Sequence, residues 1–402
     1  MVLKLNDTRK QIRPEDEVLL LVGRVDKGSE IVERLTSLLQ RDLDWEYLLN
    51  SARRHGLIPS LHQRLSSLEV DSVPAEAKTQ LQDESRALQG FNLLLTREML
   101  RVLGLLEAEG IRAIPFKGPA LAMMAYGNLA LRQFNDLDFL LQLGDIPRAR
   151  AVLSLHGYRS QHSLGRVQED AYLRSLCQLP LLHKATSILV ELHSKVTPRD
   201  FSFSADQTFW QRLIPVSLLQ KEVLTFSRED LLLILCVHGA KHVWCCIGWI
   251  CDVANLLSVS PGIDWGQVTD QARRMGCERM LRLGLFLAHD LLEAPLPDLV
   301  FQEVHKDSVV QRLAERVCKQ LFPSSGSDLS AFSNALFHLQ VREHLRDGSR
   351  YSLSLALAPT LADWSMLAVP ARLSFLYYPA RFIRLMGKYS KRIQRSSVQS
   401  YS

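Results

Sequence analysis

The chain has 402 residues, 47% of them hydrophobic and 23% charged, which is ordinary for a globular protein and enough for two or three domains with a sizeable core. A formal net charge of +5 is too mild to mark a nucleic-acid binder, and no run of about eighteen apolar residues offers a membrane span. Residues 1–16 are polar and charged, so no signal peptide is expected, and seven cysteines without framework spacing fit a reducing cytoplasm.

Residues 1–100 read as a helical N-terminal region. Over 30–39 and 45–53 apolar side chains recur at spacings of three and four. His55-Gly56 closes the second of these helices, and Val73-Pro74 interrupts before a long helical run over about 75–109. Glu109-Gly110 then leads into a short strand at 111–116. A helix is expected at 119–126, with Pro119 in its first turn, where proline is favoured, and Tyr126-Gly127 at its end. A strand follows at 137–143, then an amphipathic helix at 145–156 closed by Gly157. Further strands are expected at 158–162, 178–183 and 188–195, the last two joined across Ala185-Thr186-Ser187 as a hairpin. These elements make residues 101–204 a small mixed α/β core. From about 206 onward the pattern is helical again, in a domain running over 205–390. Ser227-Arg228-Glu229-Asp230 resembles a capping box, and 264–275, 280–292 and 308–321 are amphipathic. A Pro/Ser/Gly stretch at 323–328 is a weak boundary, and no internal repeat is visible. The fold class is therefore α+β, a mixed sheet flanked by helical regions on both sides.

The chemistry concentrates in Phe116-Lys117-Gly118-Pro119 and in Asp136-Leu137-Asp138, which begins eighteen residues after Gly118. Residues i and i+2 of a strand share a face, so Asp136 and Asp138 project together while Leu137 turns to the core. Paired carboxylates repel unless a cation lies between them. Mg²⁺, held by one or two carboxylates plus substrate phosphates, is the usual solution in phosphoryl chemistry.

The run Lys117-Gly118-Pro119-Ala120-Leu121-Ala122, with Tyr126-Gly127, Arg132 and Asp136-Leu137-Asp138-Phe139-Leu140-Leu141, resembles an uncharacterised bacterial nucleotidyltransferase-like family of the DNA polymerase beta-type superfamily. The resemblance continues through Val190-Glu191-Leu192-His193, where the family usually has Asp-Leu-His, and through His238-Gly239-Ala240-Lys241-His242-Val243-Trp244 and Trp249-Ile250-Cys251-Asp252. It implies a small mixed-sheet nucleotidyltransferase core in which Asp136, Asp138 and Glu191 bind Mg²⁺ or Mn²⁺ and serve catalysis, with an NTP as substrate. Lys117, Gly118, Arg132 and His193 are the implied phosphate and nucleotide contacts. It further implies an acceptor that is a small molecule, a sugar or a peptide, with a tRNA end as the alternative. Two departures stand out. Pro119 occupies the position where the superfamily places Ser or a second Gly, which removes a phosphate donor, and the third carboxylate is Glu rather than Asp. A catalytically silent nucleotide-binding or scaffold protein is the competing class.

Several residues keep two readings. Lys117 is a point-charge phosphate binder or a surface lysine beside a turn. Arg132 grips a phosphate or pairs with a site carboxylate. His193 contacts a phosphate or orients Glu191. His238 and His242 share a helix face at i and i+4 with Lys241 beside them. Asp252 lies close to four turns further on if the helix persists. These four are candidate cleft-lining residues; zinc, with Cys245, Cys246 and Cys251 nearby, is the sharper alternative. Residues 364–402 contain no Asp or Glu but seven Lys and Arg. Residues 377–393 alternate apolar and basic residues, which suits packing on the helical domain or contact with an anionic membrane or RNA, and 391–402 is a basic tail expected to be disordered.

Overall fold

A computed structural model describes residues 12–353, apart from 27, 69–71, 161–176, 197–206, 324–330, 345–347 and 350, together with 379, 381 and 384. The expectations for the basic tail at 377–393 and 391–402 lie, but for these last positions, outside the described residues. The fold is α+β, a mixed sheet with helical flanks.

Four helices open the described chain: α1 (Pro14–Gly23), α2 (Ser29–Leu39), α3 (Trp45–His55) and α4 (Ile58–Ser66). Asp44 caps α3 by accepting from the Tyr47 N–H, and Gly56, at φ 70°, ends it in the left-handed region that glycine tolerates. The long helix α5 (Ala75–Ala108) then delivers the chain to the sheet. Next come β1 (Ala113–Phe116), α6 (Gly118–Tyr126), β2 (Asp136–Leu141), α7 (Ile146–Leu155), β3 (Tyr158–Ser160), β4 (Gln178–His183) and β5 (Leu189–His193). The strand order is β1-β2-β5-β4-β3. β2 and β5 run parallel, and every other neighbour is antiparallel.

Alternation along β2 and β5 sorts their side chains cleanly. Leu137, Phe139, Leu141, Val190 and Leu192 are buried in a core shared with Leu95, Met99, Val102 and Leu106 of α5 and Ile146, Ala149 and Leu153 of α7. The opposite face carries Asp136, Asp138, Glu191 and His193, and looks toward the C-terminal helices.

A hairpin of β6 (Ile214–Leu218) and β7 (Lys221–Thr225) precedes those helices, where the sequence pattern had suggested helix from about 206. Its turn uses Leu219 and Gln220, both at positive φ. Neither is the Gly or Asn that announces such a turn. The hairpin anchors to β1 through the Thr225 hydroxyl, which donates to the Pro115 carbonyl at 2.7 Å.

The helices α8 (Arg228–Lys241), α9 (Ile247–Ser258), α10 (Trp265–Met275), α11 (Glu278–Leu292), α12 (Asp298–Lys306), α13 (Ser308–Leu321) and α14 (Ala331–Gln340) follow among the described residues. Ser227 caps α8 by accepting from the Asp230 N–H. The N-terminal helices and these C-terminal helices share one apolar core, which runs from Val18, Leu38 and Leu48 to Leu233, Leu283 and Leu313.

Between α8 and α9 the helix breaks. Val243 and Trp244 take φ 55° and 52°, and the fully buried indole of Trp244 folds back onto Gly239 and Gly284. A Cβ at Gly239 would lie 2.5 Å from that ring. A continuous helix from His238 to Asp252 is therefore not formed, and Asp252 sits on α9 rather than on the α8 face.

Candidate active site

The carboxylates come together because parallel pairing sets Asp138 directly opposite Glu191 and Asp136 opposite Leu189. His193, two residues past Glu191, shares its face. Its Nε2 lies 2.8 Å from Asp138 Oδ1 and 3.3 Å from Glu191 Oε2. The Phe116 ring meets the imidazole edge-on at 5.3 Å, which fixes the ring between the two acids. Asp138, Glu191 and His193 each offer a ligand atom within 4.8 Å of the others. They are the group of three or more His, Cys, Asp or Glu found so placed among the described residues.

Lys117 sits at the joint of β1 and α6 with φ 58° and ψ −148°, a conformation that costs a side chain of this type energy. Its Nζ reaches to 3.9 Å from Asp138 Oδ2. Gly118 follows at φ 43°, where a Cβ would meet the Asp136 carbonyl oxygen at 3.5 Å, so glycine here serves backbone conformation. Pro119 is buried in the first turn of α6 and offers no N–H.

The electrostatics split the two aspartates. Burial, with Asp138 and Glu191 adding repulsion, raises the Asp136 carboxyl above its usual range. Burial would raise Asp138 as well, but the Lys117 ammonium and the His193 hydrogen bond outweigh it and hold Asp138 low. His193 loses solvation, yet its bonds to Asp138 and Glu191 more than compensate, and its pKa is raised.

These groups line a cleft of about 200 Å³. Its strand wall is Lys117, Asp136, Asp138, Gln178, Glu191 and His193; its helical wall is Ile234, His238 and Lys241 of α8 and His242 just past its end, with Val196 also lining the cleft. Gln178, Val196 and Ile234 were not anticipated. Gln178 pairs with His193 across β4 and β5, a register that the sequence does not print, and Val196 and Ile234 carry no chemical signature.

Arg132, Gly118 and Asp252 do not line the cleft. Arg132 donates to Asp252 through Nε at 2.8 Å and Nη2 at 3.0 Å, and the Tyr126 hydroxyl donates to the same carboxylate at 2.8 Å. Asp252 is 2% exposed, so this cluster ties α6 and the loop before β2 to α9. The loop itself is held from α5, where the buried Asn92 amide donates to the carbonyls of Leu129 and Arg132. Among the described residues no zinc set forms around His238 and His242. Cys246 donates to the His55 carbonyl, Cys251 to that of Gly23, and Cys245 is exposed.

A family model described as uncharacterised nucleotidyltransferase matches residues 41–293, more than half of the chain. The chain belongs to that family. No curated protein matches it. The nucleotidyltransferase match includes both walls of the cleft and the Arg132–Asp252 tie. The cluster of Asp138, Glu191 and His193 fits a divalent cation: two carboxylates and an imidazole converge, with a third carboxylate, Asp136, on the same face.

Proposed function

We propose that the protein is a metal-dependent nucleotidyltransferase that moves an NMP from an NTP to a hydroxyl or phosphate of an acceptor. The observation that carries this reading is the placement of Asp136, Asp138 and Glu191 on one strand face beside Lys117 and opposite a second wall. Asp136, Asp138 and Glu191 would hold Mg²⁺ or Mn²⁺, which would neutralise charge on the attacking and leaving oxygens of an in-line displacement. The acceptor oxygen bonds to the α-phosphorus and pyrophosphate leaves. Glu191, which is partly exposed, takes the acceptor's proton. Lys117 meets negative charge on the phosphates as a point charge, which explains why a strained backbone is kept there. His193 keeps Asp138 and Glu191 apart and oriented. Arg132 acts from behind, through Asp252, by fixing the loop that launches β2 and by adding positive potential near both aspartates.

The acceptor class we favour is a small molecule, sugar or peptide, over a tRNA end, and the compartment is a reducing cytoplasm, in keeping with seven free thiols. One observation favours a silent nucleotide-binding protein instead: Pro119 supplies no backbone donor in the first turn of α6, where a phosphate would expect one. The test is incubation with α-labelled ATP, CTP, GTP and UTP, Mg²⁺ or Mn²⁺, and a cell extract as acceptor pool. Label on an extract component with wild type, absent with Asp136→Asn/Asp138→Asn, supports transfer. Metal-dependent nucleotide binding without transfer supports the silent protein.

A further inference from the structure

We propose that His238 and His242, backed by Trp249, seat the nucleobase, so that the helical wall takes the planar ring of the nucleotide while the strand wall handles its phosphates. This rests on the nucleotidyltransferase reading. The His238 and His242 rings lie 4.7 Å apart between centroids, and each is 5.2 Å from the indole of Trp249. The three rings form one aromatic body, and its two imidazoles open on the cleft that holds the carboxylates. The other ring among the residues lining that cleft, His193, is engaged with Asp138 and Glu191.

Charge decides what such a surface can take. Burial, with Lys117 and His242 adding repulsion, lowers His238; loss of solvent, then Lys241 and Lys117, lower His242. Both shifts favour the neutral imidazole. In that form they make poor phosphate ligands, and among the described residues no third ligand completes a metal site with them. Neutral imidazoles on an indole instead offer a π surface with one donor or acceptor per ring edge, which suits a heteroaromatic base.

The experiment measures binding of the four α,β-methylene nucleoside triphosphates and of inorganic tripolyphosphate, each with Mg²⁺, by calorimetry. The proteins are wild type, His238→Ala/His242→Ala and His242→Phe. Wild type should prefer at least one nucleotide over tripolyphosphate. The double alanine variant should lose about 5- to 100-fold in affinity for that nucleotide, the range of a lost base–aromatic stack, and keep tripolyphosphate binding, which also reports an intact fold. His242→Phe should retain most of the nucleotide affinity. Equal weakening of both ligands, or of neither, overturns the base seat. Wild-type binding of tripolyphosphate without preference for any nucleotide overturns the base seat alone, and binding of neither ligand overturns the nucleotidyltransferase reading with it.

Discussion

On the strand wall of the cleft, pleat and register decide which side chains meet the substrate space; on the helical wall, a break in a helix decides it. Asp136, Asp138, Glu191 and His193 sit where they do because β2 and β5 pair in parallel with their apolar residues on the other face. A slip of one residue would bury the acids and expose the core. His238, His242 and Trp249 meet only because α8 ends at Lys241 and the chain doubles back through Val243 and Trp244. The first arrangement is repetitive and rigid. The second is a single solution that depends on two glycines making room for one indole. On the proposed reading, chemistry that needs fixed charge geometry belongs on the first wall, and recognition that varies with the ligand belongs on the second.

The sharpest way to break this division is to remove charge from the strand wall without changing its shape. Asp138→Asn should lower turnover by about 10³-fold or more, since it removes a cation ligand and a preorganised charge together, with nucleotide release and transfer as the readout. A comparable loss from His238→Ala/His242→Ala would place the chemistry on the wrong wall.

Next in size is the tie between the walls. Asp252→Ala leaves the Arg132 guanidinium buried without its partner and should cost about 3–5 kcal/mol in urea unfolding. A loss under about 1 kcal/mol would mean that the tie is incidental.

The break itself is tested by Gly239→Ala, whose Cβ would collide with Trp244 at 2.5 Å. We expect about 1–3 kcal/mol of destabilisation from overpacking, together with weakened nucleotide binding.

The N-terminal helices reach the helical wall through His55, at the end of α3, whose Nδ1 accepts the Ile247 N–H at 3.3 Å as α9 begins. Burial, then Arg54, lowers this imidazole to about 3. A base lowered in the folded state contributes stability that is present above its unfolded value of about 6.5 and lost as pH falls toward 3. Unfolding free energy should therefore decline over that window by at most about 1.4 kcal/mol per pH unit from this group. A His55→Phe variant should show a shallower decline. An equal slope would remove His55 as the cause.

The smallest effect expected on stability is at the joint of β1 and α6. Lys117→Gly should relieve the positive-φ strain, a term of order 1–3 kcal/mol partly offset by the freer unfolded chain, and leave the melting temperature unchanged or slightly raised. Turnover should nevertheless fall, because the ammonium near Asp138 is gone.

How much was legible follows from the same contrast. The Asp-x-Asp strand could be read from alternation alone, and Leu137 and Phe139 turn inward as that pattern requires. The pairing of Asp138 with Glu191 needed the family resemblance, because register between distant strands leaves no local mark. The helix break was not legible, since Val243 and Trp244 are neither Gly nor Pro and adopt left-handed φ only because the indole has somewhere to go. The β6–β7 hairpin was missed for a related reason: Leu219-Gln220 is not a turn sequence. Arg132 and Asp252 are 120 residues apart. Each looked like a cleft residue, and their pairing with one another is a product of packing between α6, α9 and the loop before β2.

The most direct test of the strand wall's role follows two phosphates of one nucleotide. With Mg²⁺ or Mn²⁺, an acceptor pool and an NTP labelled at both the α- and γ-phosphates, wild type should place the α-label on the acceptor and release the γ-label as pyrophosphate. Asp138→Asn should do neither. Transfer of the γ-label to an acceptor, its release as orthophosphate, or α-label transfer that survives Asp138→Asn would contradict the account.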